Sequence, residues 1–205
     1  MTKILVLYYS LHGNTRQLAR HIGRGIEQIT DCEAVLRTVA DISTVATSQL
    51  ATASDPIVSH DDLKQCAAMA MGSPVRFGNM AAPLKHFLDS TSAEWLSGTL
   101  IDKPACVFTS SSSLHGGQET TLQSMMLPLL HHGMLIVGIP YSEPLLHTTH
   151  HGGTPYGASH VNNGTNKQLH PDEIALAQAI GRRLATTACK LNGEEKESSC
   201  PKCND

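Results

Sequence analysis

The sequence predicts an α/β fold built on a parallel sheet, and three observations lead there. Short apolar runs alternate along the chain with amphipathic stretches of helical period. The runs are apolar at consecutive positions, as strands covered on both faces require. Most of them end in a polar turn carrying glycine or serine, and several amphipathic stretches open just beyond such a turn.

The first run is Ile4-Leu5-Val6-Leu7-Tyr8-Tyr9. From Asn14 the period changes, and Leu18, Ala19, Ile22, Ile26 and Ile29 recur on one helical face. Glu33–Val39 reads as a second strand. Ala40–His60, rich in Ser, Thr, Ala and Asp, reads as a long loop with a helical portion near Ser43–Ala51. Ala67–Met71 is a third strand, ending at Gly72-Ser73-Pro74, and Pro83 is placed to open a helix through Leu88. Pro104–Thr109 is the fourth strand and runs into four serines. Thr120–His132 is helical in pattern, with Pro128 predicting a kink. Met134–Gly138 is the fifth strand, Ile139–Pro171 a long loop, and Asp172–Lys190 a final amphipathic helix with Gly193 beyond its end. Residues 1–191 are expected to form one domain, and 192–205 a flexible polar tail.

Composition narrows the functional classes. The chain has 205 residues, enough for one domain with a full core, and a formal charge of −3 with no Lys/Arg cluster. That balance argues against nucleic-acid binding. No stretch approaches the roughly 18 apolar residues of a membrane span, and the opening run is too short for a signal-peptide core. The six cysteines are scattered, unlike a disulfide framework. A cytoplasmic protein without membrane insertion is the expectation. Cys200-Pro201-Lys202-Cys203 lacks a second pair, and the His147, His150 and His151 group lacks a completing carboxylate or thiolate, so no metal site is expected.

Three turns carry the chemistry: Ser10–Thr15, Ser73–Asn79 and Ser110–Gly117. In an open α/β sheet ligands bind beyond the carboxyl ends of the strands, where the winding reverses, and a strand order of 2-1-3-4-5 brings all three turns to one crevice. Ser10 and Thr15, with the backbone N–H groups of residues 11–15 and a helix N-terminus, suit an anion. The stretch has neither the lysine of a Walker loop nor the GxGxxG spacing, which favours a phosphate monoester held by neutral donors. The same residues also serve as ordinary turn and cap residues. Arg76 is a fixed cation that could face a ring gathering negative charge, or simply a solvated turn residue. The serine loop could equally be a linker.

YYSLHGNT, GSPVRFGNM, SSSSLHGGQE, LLHHGM and GGTPYGAS, in this order, resemble the WrbA family of flavodoxin-like NAD(P)H:quinone oxidoreductases over roughly residues 1–191. The resemblance implies a flavodoxin-like three-layer sandwich, FMN as cofactor, NADH or NADPH as co-substrate, a quinone as second substrate and a homotetramer. By position it implies that Ser10, Leu11, His12, Gly13, Asn14 and Thr15 hold the phosphate, and that Val75, Arg76 and Phe77 meet the isoalloxazine. Ser110, Ser111, Ser112, Ser113, Leu114, His115 and Gly116 would line its other edge. His131 matches a position approaching the flavin and is the candidate proton donor, Arg76 the candidate stabiliser of developing negative charge. Trp95 matches a wall of the substrate cavity, and His12 stands where many members have a tyrosine linked to the nicotinamide nucleotide. Two departures stand out: serines where some members have glycines, and an imidazole at position 12, which titrates where a phenol does not. A ping-pong, two-electron quinone reductase is the implied activity. A non-enzymatic flavodoxin-like electron carrier is the alternative, though such carriers are strongly acidic for docking and this chain is nearly neutral. A regulatory binding module is a third, weaker reading.

Overall fold

The computed structural model describes residues 1–42, 55–162 and 168–197. Five strands follow from the apolar runs: β1 (Thr2–Tyr8), β2 (Cys32–Thr38), β3 (Ala68–Pro74), β4 (Pro104–Ser111) and β5 (Leu135–Ile136). They pair in parallel in the order β2-β1-β3-β4-β5, as expected. Crossovers run through α1 (Asn14–Ile26), α2 (His60–Gln65), α3 (Ala82–Asp89), α4 (Ser92–Leu96) and α5 (Gln118–His131).

The pleat of β1 explains the three layers. Ile4, Val6 and Tyr8 enter one core with Leu18 and Ile22 of α1, while Leu5 and Leu7 enter the other with Leu84, Leu122 and Leu129. Residues four to eight are all buried, which is why this run shows no alternation in sequence. Each fully buried Leu or Ile contributes about 1.5–3 kcal/mol of transfer free energy.

Three expectations need correction. The fifth strand is two residues, not five, and a further strand, β6 (Ala158–Val161), lies inside the stretch read as loop. Leu135 and Ile136 pair with Pro104 and Ala105, whereas Ala158–Val161 pair with Phe108–Ser111. The fifth position of the sheet is therefore filled in two halves, with α6 (Leu145–Thr148) between them. Ala-Ser-His-Val has no apolar run to announce it; its burial comes from packing. Second, α2 and α4 fall where no helix was predicted. They are too short to show a period, and α2 is set by a capping box in which Ser59 Oγ accepts from Asp62 N while the Asp62 carboxylate accepts from Ser59 N. Third, the last helix, α7 (Pro171–Glu197), passes through Gly193 into the segment read as tail. A Cβ at Gly193 would meet nothing within 4 Å, so no packing constraint marks that position as an end. The helix expected near Ser43–Ala51, and Cys200 and Cys203, lie outside the described residues.

Helix α7 crosses α1 at close range. A Cβ on Gly25 would stand 2.2 Å from the Gln178 carbonyl oxygen, and one on Gly181 would stand 2.2 Å from that of Ile22. Two glycines thus let the backbones touch and anchor α7 over β1, β3 and β4. Among the described residues no helix is long and apolar enough to cross a membrane.

Candidate cofactor crevice

The carboxyl ends of β1, β3 and β4 open into a cavity of about 710 Å³, within the range of small-molecule sites. Its lining includes Ser10, Leu11, His12, Asn14, Thr15, Val75, Arg76, Phe77, Ser110, Ser111, Ser112 and Gly116. The three turns singled out in the sequence converge there.

The first turn leads directly into α1. Gly13, at φ 89°, is the N-cap and offers no side-chain cap, a conformation that glycine adopts without penalty. Ser10 Oγ accepts from Arg16 N at 3.3 Å, closing the turn over the helix start. The Thr15 and Ser110 hydroxyls share a buried hydrogen bond of 2.9 Å across the crevice floor.

The second turn is tight. Arg76 N donates to Asn79 O and Asn79 N to Arg76 O, at 2.8 and 3.0 Å. Both residues between them have positive φ, Phe77 at 52° and Gly78 at 76°. Glycine tolerates this and phenylalanine is strained by it, a feature concentrated at functional sites. The strain holds the Phe77 ring in full exposure at the crevice mouth. Arg76 Nη1 donates to the Val75 carbonyl at 2.8 Å, and Val75 N donates to Ser110 O at 2.8 Å, tying this turn to the next.

The third turn is organised by a residue the sequence reading missed. Gln118 Nε2 lies 2.9 Å from Ser111 Oγ and 3.3 Å from the carbonyls of Ser113 and Leu114. Ser113, Leu114 and His115 belong to this loop but not to the cavity lining. Gly117, at φ 91°, starts α5 and packs on Gly78, so the second and third turns touch where both lack a Cβ. Asn162, just past β6, also lines the cavity; no motif pointed to it, because the split strand delivers it.

Beneath the first turn Tyr8 donates to Asp55, which also pairs with Arg20 at 3.1 Å. Burial, then the hydrogen bond to Asp55, pushes the Tyr8 phenol well above its ordinary value. It stays a neutral donor. Burial likewise raises Tyr9, with Asp41 adding to the effect.

His131 and Trp95 lie elsewhere. They line a second groove, of about 470 Å³, with Leu88, Thr91, Leu127, Pro128 and His132, and it shares no lining residue with the first. His132 Nε2 bonds Thr91 Oγ1 at 2.9 Å. Of its lining, Trp95 and Leu127 are more than half exposed, as are Leu96 and Leu130, the chain neighbours of Trp95 and His131. His151, from the histidine group before Gly152, stacks on His170 with ring centroids 3.6 Å apart.

An open parallel sheet with polar turns converging at its switch point, opposite a bare helix N-terminus, defines a flavodoxin-like, mononucleotide-binding class of protein. The family model described as NADPH-dependent FMN reductase matches residues 2–142, and the chain belongs to that family. It is 38% identical over 203 residues to a protein of Geobacter sulfurreducens named NAD(P)H dehydrogenase (quinone), covering 93% of this chain and 99% of the relative. A protein of the same name from Chromohalobacter salexigens is 40% identical over 205 residues, covering 94% and 100%. The solved structure of a flavodoxin, WrbA-like protein from Agrobacterium tumefaciens superimposes with a TM-score of 0.68 at 24% identity, covering 93% of this chain and 99% of that one. The fold is flavodoxin-like.

Proposed function

We propose that this protein is an FMN-dependent NAD(P)H:quinone oxidoreductase that reduces quinones by two electrons with ping-pong kinetics. The convergence of the three turns on one cavity carries the reading, together with the names of the relatives. The residues fit FMN chemically. The α1 N-terminus, capped by a glycine without a side-chain bond, leaves its positive end to an anion. Uncharged hydroxyls line the same cavity, and so do a cation, Arg76, and an aromatic ring, Phe77.

When bound, FMN supplies the chemistry, accepting a hydride from the reduced nicotinamide and passing two electrons to the quinone. Ser10, Thr15 and the N–H groups of residues 11–15 bind the phosphate. Val75, Arg76 and Phe77 position the isoalloxazine, and the Arg76 guanidinium stabilises negative charge as it develops on the ring. Ser110–Gly116 holds the opposite edge and the ribityl chain. His12 orients the nicotinamide nucleotide at the rim. The two substrates use the crevice in turn, the oxidised nucleotide leaving before the quinone enters, which is the ping-pong order.

His131 protonates the quinone oxygen and Trp95 walls the substrate. Within one chain their groove is separate from the crevice, so these roles require a neighbouring copy to bring it there. The exposed apolar side chains around that groove support a homotetramer. A single domain over 1–191 in the cytoplasm, without nucleic-acid partners, completes the reading.

The test is direct. The purified protein is expected to be yellow, to bleach on anaerobic addition of NADH or NADPH, and to regain colour with benzoquinone. A yellow protein that neither nucleotide bleaches overturns the enzyme reading in favour of an electron carrier.

A further inference from the structure

Cys32 and Cys189 meet in the folded chain although 157 positions separate them, and their sulfur atoms lie 3.3 Å apart. Neither takes part in the crevice. Cys32 is the first residue of β2 and pairs with Thr2, the first of β1, so it stands at the amino end of the sheet, opposite the crevice. Of the other described cysteines, Cys106 is fully buried within β4 and Cys66 donates to the Leu63 carbonyl.

Both partners are held in place by their surroundings. The turn before Cys32 is closed by Cys32 N donating to Ile29 O at 3.2 Å and by Thr2 N donating to Asp31 O at 2.6 Å. Asp31 has φ 62°, a left-handed value that aspartate accepts better than most residues. Helix α7 is fixed on α1 by the Gly25 and Gly181 contacts. It is also tied to the same turn by Arg182 Nη1, which donates to Gln28 Oε1 at 3.0 Å. Cys189 follows Arg182 along α7 by about two turns. A disulfide has a sulfur–sulfur length of about 2.05 Å, so the 3.3 Å gap must close by only about 1.3 Å, shared between two side chains.

The two thiols differ in access. Cys32 is buried, and burial, then the hydrogen bond with Cys189, pushes its thiol up to about 12, so it stays protonated. Cys189 is partly exposed and is the one an oxidant reaches first.

We propose that Cys32 and Cys189 form a peroxide-sensitive dithiol whose disulfide fastens the carboxyl-terminal half of α7 to the edge strand β2. The Cys189 sulfur attacks hydrogen peroxide: an S–O bond forms, the O–O bond breaks, and a sulfenic acid and one water result. The Cys32 sulfur then attacks the sulfenic sulfur. The S–S bond forms, the S–O bond breaks, and the departing hydroxide leaves as water with the Cys32 proton. Two thiols lose two electrons and two protons, and one hydrogen peroxide takes up both to become two waters. The crosslink closes a loop that spans most of the chain, so it removes conformational freedom chiefly from the unfolded state.

The experiment adds hydrogen peroxide to the full wild-type chain, alkylates the remaining thiols and reads the digest by mass spectrometry. A peptide pair joined through Cys32 and Cys189, and separated again by dithiothreitol, is expected. The proposal is overturned by over-oxidised Cys189 with alkylated Cys32, by a bond from Cys189 to Cys200 or Cys203 instead, or by two alkylated thiols. The oxidised protein is expected to melt about 5–10 °C above the reduced one. The same treatment should not raise the melting temperature of Cys189→Ser. A crosslink that leaves the melting temperature unmoved, or an equal rise in Cys189→Ser, overturns the fastening role. The crosslinking arm needs only the wild type, so a variant that fails to fold does not shield the proposal. Neither readout involves flavin, so the outcome is separate from that of the quinone-reductase reading.

Discussion

Thr15 and Ser110 stand 95 positions apart in the chain and share a 2.9 Å hydrogen bond at the floor of the crevice. Thr15 lies in the first turn of α1 and Ser110 near the end of β4, so this contact joins the first turn to the third. Either hydroxyl can be the donor, and each is left unsatisfied if the other is removed. Thr15→Val keeps the shape and strands the Ser110 hydroxyl. It is expected to cost about 1–3 kcal/mol, read as a lower urea midpoint and as weaker FMN binding by fluorescence titration.

Arg76 is expected to act on reactivity more than on affinity. Its side chain is exposed and donates to the Val75 carbonyl, so its removal leaves the core intact. Arg76→Ala should lower the midpoint potential of the bound flavin and slow quinone reduction about 10- to 100-fold. Arg76→Lys should recover part of both. An unchanged potential in spectroelectrochemistry would remove Arg76 from the mechanism.

The α1–α7 contact sets a stability test whose sign is decided by distance. Alanine is better than glycine in a helix by about 1 kcal/mol, yet a Cβ on Gly181 would lie 2.2 Å from the Ile22 carbonyl oxygen. Two backbones cannot yield as a flexible side chain can. Gly181→Ala is expected to be destabilising by about 2–3 kcal/mol net, measured by urea denaturation, and Gly193→Ala, which meets no neighbour, mildly stabilising.

Glu173 gives a pH dependence. Its folded-state pKa is below the unfolded one, because the bonds from His160 and the backbone outweigh burial. Its contribution to stability is therefore complete above the unfolded value of about 4.3 and is lost as pH falls through the lower folded value. Thermal unfolding of the wild type should show melting temperature dropping across that acid range. Glu173→Gln should be less stable at neutral pH and show a flatter acid limb.

Trp95 tests the assembly. Its groove lies apart from the crevice in a single chain, so Trp95→Ala should raise the quinone KM while leaving FMN affinity close to wild type. Dilution that dissociates the proposed homotetramer should reproduce the same KM increase. Equal losses in substrate and cofactor binding would contradict the cavity-wall role.

Much of this protein was legible in one dimension. Burial on both faces writes itself as continuous apolar runs, so β1, β3 and β4 could be read directly. The polar turns were legible because a strand-to-helix connection at the switch point needs glycine and hydroxyls at fixed places. Ser10, Thr15, Arg76 and Ser110 therefore appeared as site candidates before any contact was known, and the family resemblance supplied the cofactor.

Long-range packing alone decided the rest. The split fifth strand has no sequence signature, because Ala158–Val161 is held by pairing with β4 and by burial against α7 rather than by its own pattern. Its consequences were hidden for the same reason: Asn162 in the lining, and His160 joined to Glu173 thirteen positions away. The separation of His131 and Trp95 from the crevice was equally invisible. Local sequence encodes periodicity and turn chemistry, which act between neighbours, whereas the meeting of distant side chains depends on how the layers stack.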